Sequence, residues 1–142
     1  MEDKNPWEKS LPIAARPGEV YNIENTEFYD VEAAVNAINA NPHSFKFGMI
    51  LPEKVIPLLV GQVDFNLAEV MRISFDDAAR PLLFITYENG QSYLIDGYKR
   101  ARRALQFGAP TFGAWVLSPE QTAKFRLSAE AAAHVERINL TS

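Results

Sequence analysis

Residues 82–117 place more constraint on the fold than any other stretch of the chain. Pro81 opens an apolar run, Leu82-Leu83-Phe84-Ile85-Thr86-Tyr87, and Asn89-Gly90 follows. Asn-Gly between apolar runs is a strong hairpin signal, because both residues tolerate positive φ. Ser92-Tyr93-Leu94-Ile95 returns as a second strand and meets Asp96-Gly97, where the pattern turns helical. From Tyr98 to Phe107, Tyr98, Ala101, Ala104 and Leu105 share one side and Lys99, Arg102, Arg103 and Gln106 the other, with Arg100 toward the basic edge. Gly108 suits the C′ position, and 112–117 reads as another strand. A strand, hairpin, strand, helix and strand are therefore expected here.

The flanks are less regular. Residues 1–25 hold Pro6, Pro12, Pro17 and Gly18 with little periodicity, so an irregular N-terminal arm is expected, pinned by Trp7 and Leu11, ahead of a single domain over 26–142. Asp30 is placed to cap a helix over 30–40, with Val31, Ala34, Val35 and Ile38 at helical spacing. Phe45, Phe47 and Met49 alternate as in a short strand. Pro52 and Pro57 both oppose a helix interior, so only a short helix beginning near one of them and ending at Gly61 is expected over 51–60. Val63, Phe65, Leu67, Met71 and Ile73 alternate, which favours a half-buried strand over 63–73, with a helix as competitor. Residues 75–80 read as a polar connection. Ser118-Pro119-Glu120-Gln121 starts a helix, and Ser128 caps a last one reaching about Ile138.

Composition narrows the chemistry. The chain has 142 residues, of which 47% are hydrophobic and 23% charged, as expected for one soluble domain. No segment has the ~20 apolar residues of a membrane span, and the polar start, Met1-Glu2-Asp3-Lys4-Asn5, lacks a signal-peptide core, so a cytoplasmic protein is expected. With no cysteine, thiolate catalysis and thiolate metal sites are excluded. The two histidines lie far apart in sequence; His43 reads as a loop residue and His134 as helix surface. Asp76, Asp77 and Asp96 are conceivable metal carboxylates, but Asp76-Asp77 reads more simply as a cap or turn. No metal site is expected. Nucleophile-elbow and Walker patterns are absent. The net charge of −4 argues against non-specific nucleic-acid binding by the whole surface.

The β–α junction at 96–100 is the candidate site. First-turn amides lack intrahelical partners and sit at the positive end of the helix dipole. Gly97 permits close approach to the backbone. Lys99 and Arg100 add cations, a point charge and a fork. Such an arrangement is suited to an anion. Tyr98 either stacks on a ligand or packs inward. The competing reading is that Asp96 caps the helix while Lys99, Arg102 and Arg103 form a solvated face. Four of the chain's 14 basic residues fall within 99–103, a clustering that costs like-charge repulsion and is easier to understand beside a polyanion.

Tyr93-Leu94-Ile95-Asp96-Gly97-Tyr98-Lys99-Arg100, followed by Ala101, Ala104-Leu105, Gly108 and Trp115-Val116-Leu117, resembles the ParB/sulfiredoxin-like superfamily, most nearly its I-D-G-x-H-R branch. The resemblance spans about residues 63–127 and does not reach residues 1–50. It implies an α+β fold, a small mixed-sheet domain that binds nucleotide phosphates: CTP in the partition branch, ATP in sulfiredoxins, ATP or ADP in a free-serine kinase branch. The relatives' phosphate-contacting glycine and arginine map onto Gly97 and Arg100, and Lys99 stands where His or Arg is usual. The ligand set expected at the turn is Asp96, Gly97, Tyr98, Lys99, Arg100 and Arg103, holding ATP or CTP with Mg²⁺, Asp96 orienting the turn or helping to hold the ion. Phosphotransfer or hydrolysis is an open accompaniment, since Lys99 is no neutral base near pH 7.

The departures from the pattern exclude more. Tyr98 replaces the sulfiredoxin cysteine. Tyr-Lys-Arg replaces the partition branch's Glu-Arg-Arg, and with about 25 residues after the last strand its DNA-reading domain is not expected. Two alternatives stand beside nucleotide binding. One is a nucleic-acid-binding or nuclease accessory protein of a mobile element, using the Lys99–Arg103 face. The other is a protein-interaction module that has lost the ligand, contacting partners through Glu24–Tyr29 or the N-terminal arm.

Overall fold

The computed structural model describes residues 7, 10, 18–23, 27–60 and 66–134. Its centre is a four-stranded sheet, ordered β3 (Lys46–Ile50), β6 (Phe112–Val116), β4 (Leu82–Thr86), β5 (Ser92–Asp96). β4 and β6 run parallel and the other neighbours antiparallel. A second sheet pairs β2 (Glu27–Asp30) with β1 (Val20–Ile23) on one side and β7 (Arg126–Leu127) on the other. The fold is α+β, as the sequence implied.

Strand alternation explains the two cores. Leu82, Phe84, Leu94, Phe112 and Ala114 point to one face of the central sheet, where they meet α2 (Pro52–Val60), α4 (Phe75–Ala78) and α5 (Tyr98–Gln106) through Val55, Leu59, Ala78, Ala101 and Ala104. Leu83, Ile85, Ile95, Trp115 and Leu117 point to the other, where α1 (Val31–Ala40) supplies Val31, Val35 and Ile38. Because both faces are covered, β4 reads as an unbroken apolar run rather than an alternation. The hairpin forms at Asn89-Gly90: Gly90, at φ +88, donates to the Tyr87 carbonyl at 2.9 Å.

Four expectations change. Val20–Ile23, within the stretch expected to be irregular, is strand β1; Trp7 is buried against Phe75, at 4.7 Å between ring centres, and Leu11 lies outside the described residues. The short helix expected near a proline does begin at Pro52 and reach Val60; what changes is that it runs through Pro57, which sits on the exposed side, where the lost hydrogen bond falls to solvent. Gly61 lies outside the described residues. In place of the strand over 63–73 there is helix α3 (Leu67–Arg72): the Asn66 side chain accepts from Ala68 N at 2.9 Å and Glu69 N at 3.4 Å, and this cap with Leu67, Val70 and Met71 at helical spacing outweighs the alternation. Residues 63–65 lie outside the described set. The polar connection contains α4, one turn capped by Ser74, whose Ala78 is buried.

Other local expectations hold. Asp30 caps α1, accepting from Ala33 N at 2.9 Å. Ser118 and Gln121 form a capping box at the start of α6 (Pro119–Lys124). Ser128 caps a helix described over 129–134, accepting from Ala131 N at 3.0 Å. His43 and His134 are exposed, in a turn and on that helix.

Candidate functional site at the β5–α5 turn

α5 begins differently from α1, α3, α4 and α6, each of which has a side chain on its first amides. Its N-cap is Gly97, at φ +111 and ψ 14, so no side chain closes the turn. Asp96 does not cap it either. Its carboxylate accepts from Arg100 Nη2 at 2.8 Å, one helical turn on, and Arg100 Nη1 donates to the Pro81 carbonyl at 3.1 Å. The Arg100 side chain is only 12% exposed. The guanidinium therefore lies across the turn, braced between β5 and the start of β4.

Gly97 is required by this packing. A Cβ there would stand 2.7 Å from Leu82 Cδ2 and 3.2 Å from Arg100 Nη2. The bare Cα thus admits the chain's own leucine and arginine on that side. At the far end Gly108, at φ +78, closes α5 as a Schellman cap, with Ala109 N donating to Ala104 O and Gly108 N to Leu105 O, both at 3.0 Å.

Each of the other cations of α5 holds an acceptor of the chain itself. Lys99 pairs with Glu69 of α3. Arg102 donates to the Leu59 carbonyl in the last turn of α2 at 2.6 Å. Arg103 donates to the Ile73 carbonyl at the end of α3 at 3.0 Å and to Gln106 Oε1 at 2.8 Å, and it covers the Phe107 ring at 4.3 Å. Cations at helix C-termini are stabilising. The cluster that looked costly in sequence is thus a clamp holding α2 and α3 against α5.

Tyr98 packs inward. Its hydroxyl donates to the Leu94 carbonyl at 2.8 Å and accepts from Tyr21 at 3.2 Å, and the two rings stack at 6.0 Å. Burial, then the neighbouring Tyr21 hydroxyl, pushes the Tyr98 hydroxyl above its ordinary pKa of 10. Tyr87 and Tyr29 are raised too, both chiefly by burial. The native state thus holds these protons more tightly than the unfolded chain, so their stabilising contribution is full below pH 10 and falls as pH rises above it. Tyr98→Phe is expected to lose about 1 kcal/mol near neutrality with its hydrogen bond, and to show a shallower decline above pH 10 in urea titrations. An equal decline in both proteins would remove Tyr98 from this account.

Arg80 is the neighbour that sequence reading missed. It precedes Pro81, whose carbonyl Arg100 holds. Burial, then the nearby Arg100 charge, pulls Arg80 below its ordinary value, while Asp96, Asp77 and Glu19 oppose the change. Nothing in its sequence context marks it, because only the return of β5 brings Arg100 to this place. Asp76 and Asp77 are exposed in the first turn of α4, and no metal-ligating cluster of three or more side chains occurs among the described residues.

A separate cleft of about 300 Å³ opens between α2, α3 and α5, floored by Leu59, Val70 and Leu105 and edged by Val60, Leu67 and Arg102. Its lining is chiefly apolar. The Glu27–Tyr29 part of the stretch expected to meet partners is strand β2, paired on both sides, with Tyr29 buried; Glu24 to Thr26 lie outside the described residues. No helix among the described residues is long and apolar enough to cross a membrane.

Comparison with protein-family models, with curated proteins and with solved structures found no match.

Proposed function

We propose that this chain is a cytoplasmic ParB/sulfiredoxin-like domain that binds a phosphate-bearing ligand, a nucleotide such as ATP or CTP with Mg²⁺, at the β5–α5 turn. The observation that carries this reading is the uncapped start of α5: Gly97 leaves the first-turn amides without a side-chain partner, beside a guanidinium already fixed in place. Backbone amides at a helix start, joined to a pre-positioned arginine, suit phosphate oxygens. The likeness of residues 93–100 to the I-D-G-x-H-R pattern points the same way.

The roles divide by what each residue already does. The amides following Gly97 would meet the phosphate, and Arg100 would flank it. Asp96 holds Arg100, and Tyr98 supports the turn from within. Lys99, 47% exposed, can leave Glu69 for a ligand at little cost, because an exposed ion pair contributes below about 1 kcal/mol. Arg103, spent on Ile73 and Gln106, would act only through the position of α5. Binding is the activity proposed. The nucleic-acid alternative loses its main support once the Lys99–Arg103 cations are seen to hold the chain's own acceptors.

Thermal unfolding with ATP, CTP, ADP and inorganic phosphate, each with and without Mg²⁺, tests the proposal. Ligand at about a hundredfold over its Kd would add about 2.7 kcal/mol, a rise of several degrees for a chain this size. Lys99→Met should weaken that response without changing the ligand-free midpoint appreciably. A flat response to every phosphate compound would rule the reading out.

A further inference from the structure

The tip of the β4–β5 hairpin joins two groups that can react with each other. Asn89 is the chain's only asparagine followed by glycine. Glu88, Asn89 and Gly90 are exposed, and a Cβ built on Gly90 would meet nothing within 4 Å. The Gly90 amide nitrogen is a nucleophile, and the Asn89 side-chain carbonyl carbon is its electrophile. Joining them closes a five-membered ring, and glycine brings no side chain to obstruct the closure.

The fold engages both reactants. Gly90 N donates to the Tyr87 carbonyl at 2.9 Å, and this bond closes the turn. The Asn89 side chain is held at both polar atoms by Gln91, the residue beyond the nucleophile. Oδ1 accepts from Gln91 N at 2.9 Å, and Nδ2 donates to Gln91 Oε1 at 3.3 Å. Ring closure needs Gly90 N without its proton and turned toward Asn89, so the bond to Tyr87 must open first.

We propose that Asn89 is a site of spontaneous deamidation that the closed hairpin holds in check. When the tip opens, a base in solvent takes the Gly90 amide proton and the nitrogen bonds to Asn89 Cγ. The bond from Cγ to Nδ2 breaks, and the leaving nitrogen takes a proton from water and departs as ammonia. Water then opens the cyclic imide at one of its two carbonyls, giving aspartate or isoaspartate. Either product places a new carboxylate beside Glu88. Isoaspartate also reroutes the main chain through the side chain, lengthening the loop by one backbone atom. Hairpin register is set by turn type and loop length, so the pairs Thr86 with Ser92 and Ile85 with Tyr93 lose their lock. The inference is independent of the ligand reading.

Incubating the full chain at mildly alkaline pH, native and in guanidinium chloride, with peptide mapping by mass spectrometry, tests this. Native protein should convert at Asn89 and at no other asparagine. Its rate should be about tenfold below that of the denatured chain, the upper worth of one backbone hydrogen bond. Asn89→Gln, whose closure needs a six-membered ring, should stay unmodified over the same period. The isoaspartate fraction, labelled by an isoaspartyl methyltransferase, should unfold at lower urea than Asn89→Asp, which carries the same charge on an unaltered main chain. Equal rates in the native and denatured chains, native protein that never converts, or an isoaspartate fraction as stable as Asn89→Asp would each overturn the proposal.

Discussion

Gly97→Ala is expected to destabilise the chain by about 3 kcal/mol, the sum of a backbone held at positive φ and an overpacked contact. At φ +111 an alanine is strained whatever space surrounds it. Space is also lacking: the new methyl would lie 2.7 Å from Leu82 Cδ2, and Leu82 is fully buried between β4 and the helices. Relief by moving Leu82 disturbs the core. Relief by moving the turn pulls Arg100 from Asp96 and the Pro81 carbonyl. For a chain of 142 residues, 3 kcal/mol corresponds to a fall in melting temperature of about 10 °C. Gly108→Ala separates the two causes, since its φ is +78 but an added Cβ meets nothing within 4 Å; it should cost about 1 kcal/mol. Equal losses for both, measured by urea denaturation, would show that the Leu82 contact is absent and that Gly97 serves the backbone alone.

This difference between the two glycines shows what the sequence discloses and what it withholds. Local chemistry was legible wherever a side chain acts on its own segment: Asp30 on α1, Ser118 and Gln121 on α6, Asn89-Gly90 in the hairpin, Gly108 at the end of α5. The strands β4, β5 and β6 were legible because buried runs and alternation are imposed by a covered sheet. α3 was not, because six residues with apolar side chains at 67, 70 and 71 satisfy a strand pattern nearly as well as a helix, and only the Asn66 cap decides. Pro57 misled because the rule against proline in helices concerns a lost bond, and its cost depends on a side, exposed or buried, that sequence does not show. The site was half legible. Its turn, glycine and arginine could be read off, whereas the partners that set their roles could not. Pro81 and Leu82 reach the turn only through sheet pairing, and Glu69, Leu59 and Ile73 reach the basic face only through helix packing. A helix face with four cations therefore looked like an empty surface, while in the fold each cation holds an acceptor of the chain itself.

Asp96→Ala is expected to move stability and anion affinity in opposite directions, and Arg100→Ala to lower both. Removing Arg100 leaves the Asp96 carboxylate and the Pro81 carbonyl without their partner in a turn where the two side chains are 12% and 23% exposed. Loss of one member of a fully buried pair costs about 3–5 kcal/mol; water reaching Asp96 should reduce this to about 2 kcal/mol. Asp96→Ala should cost about 1 kcal/mol, because Arg100 keeps the Pro81 carbonyl and can turn its freed nitrogen to solvent. The double variant should lose about 1 kcal/mol less than the sum of the two, since the second substitution then removes a group already unpaired. For an anion at the α5 start, however, Asp96 is a competitor: it neutralises the guanidinium and adds a negative charge beside the amides. Its removal should tighten inorganic phosphate binding several-fold even as the fold weakens, whereas Arg100→Ala should abolish binding. Isothermal titration and urea denaturation on the same four proteins read the two quantities separately. Weaker phosphate binding by Asp96→Ala would mean that the carboxylate serves the ligand, by orienting Arg100 or by holding a cation, more than it opposes it. Strictly additive stabilities would mean that the 2.8 Å contact carries no coupling and that Arg100 is fixed by Pro81 alone.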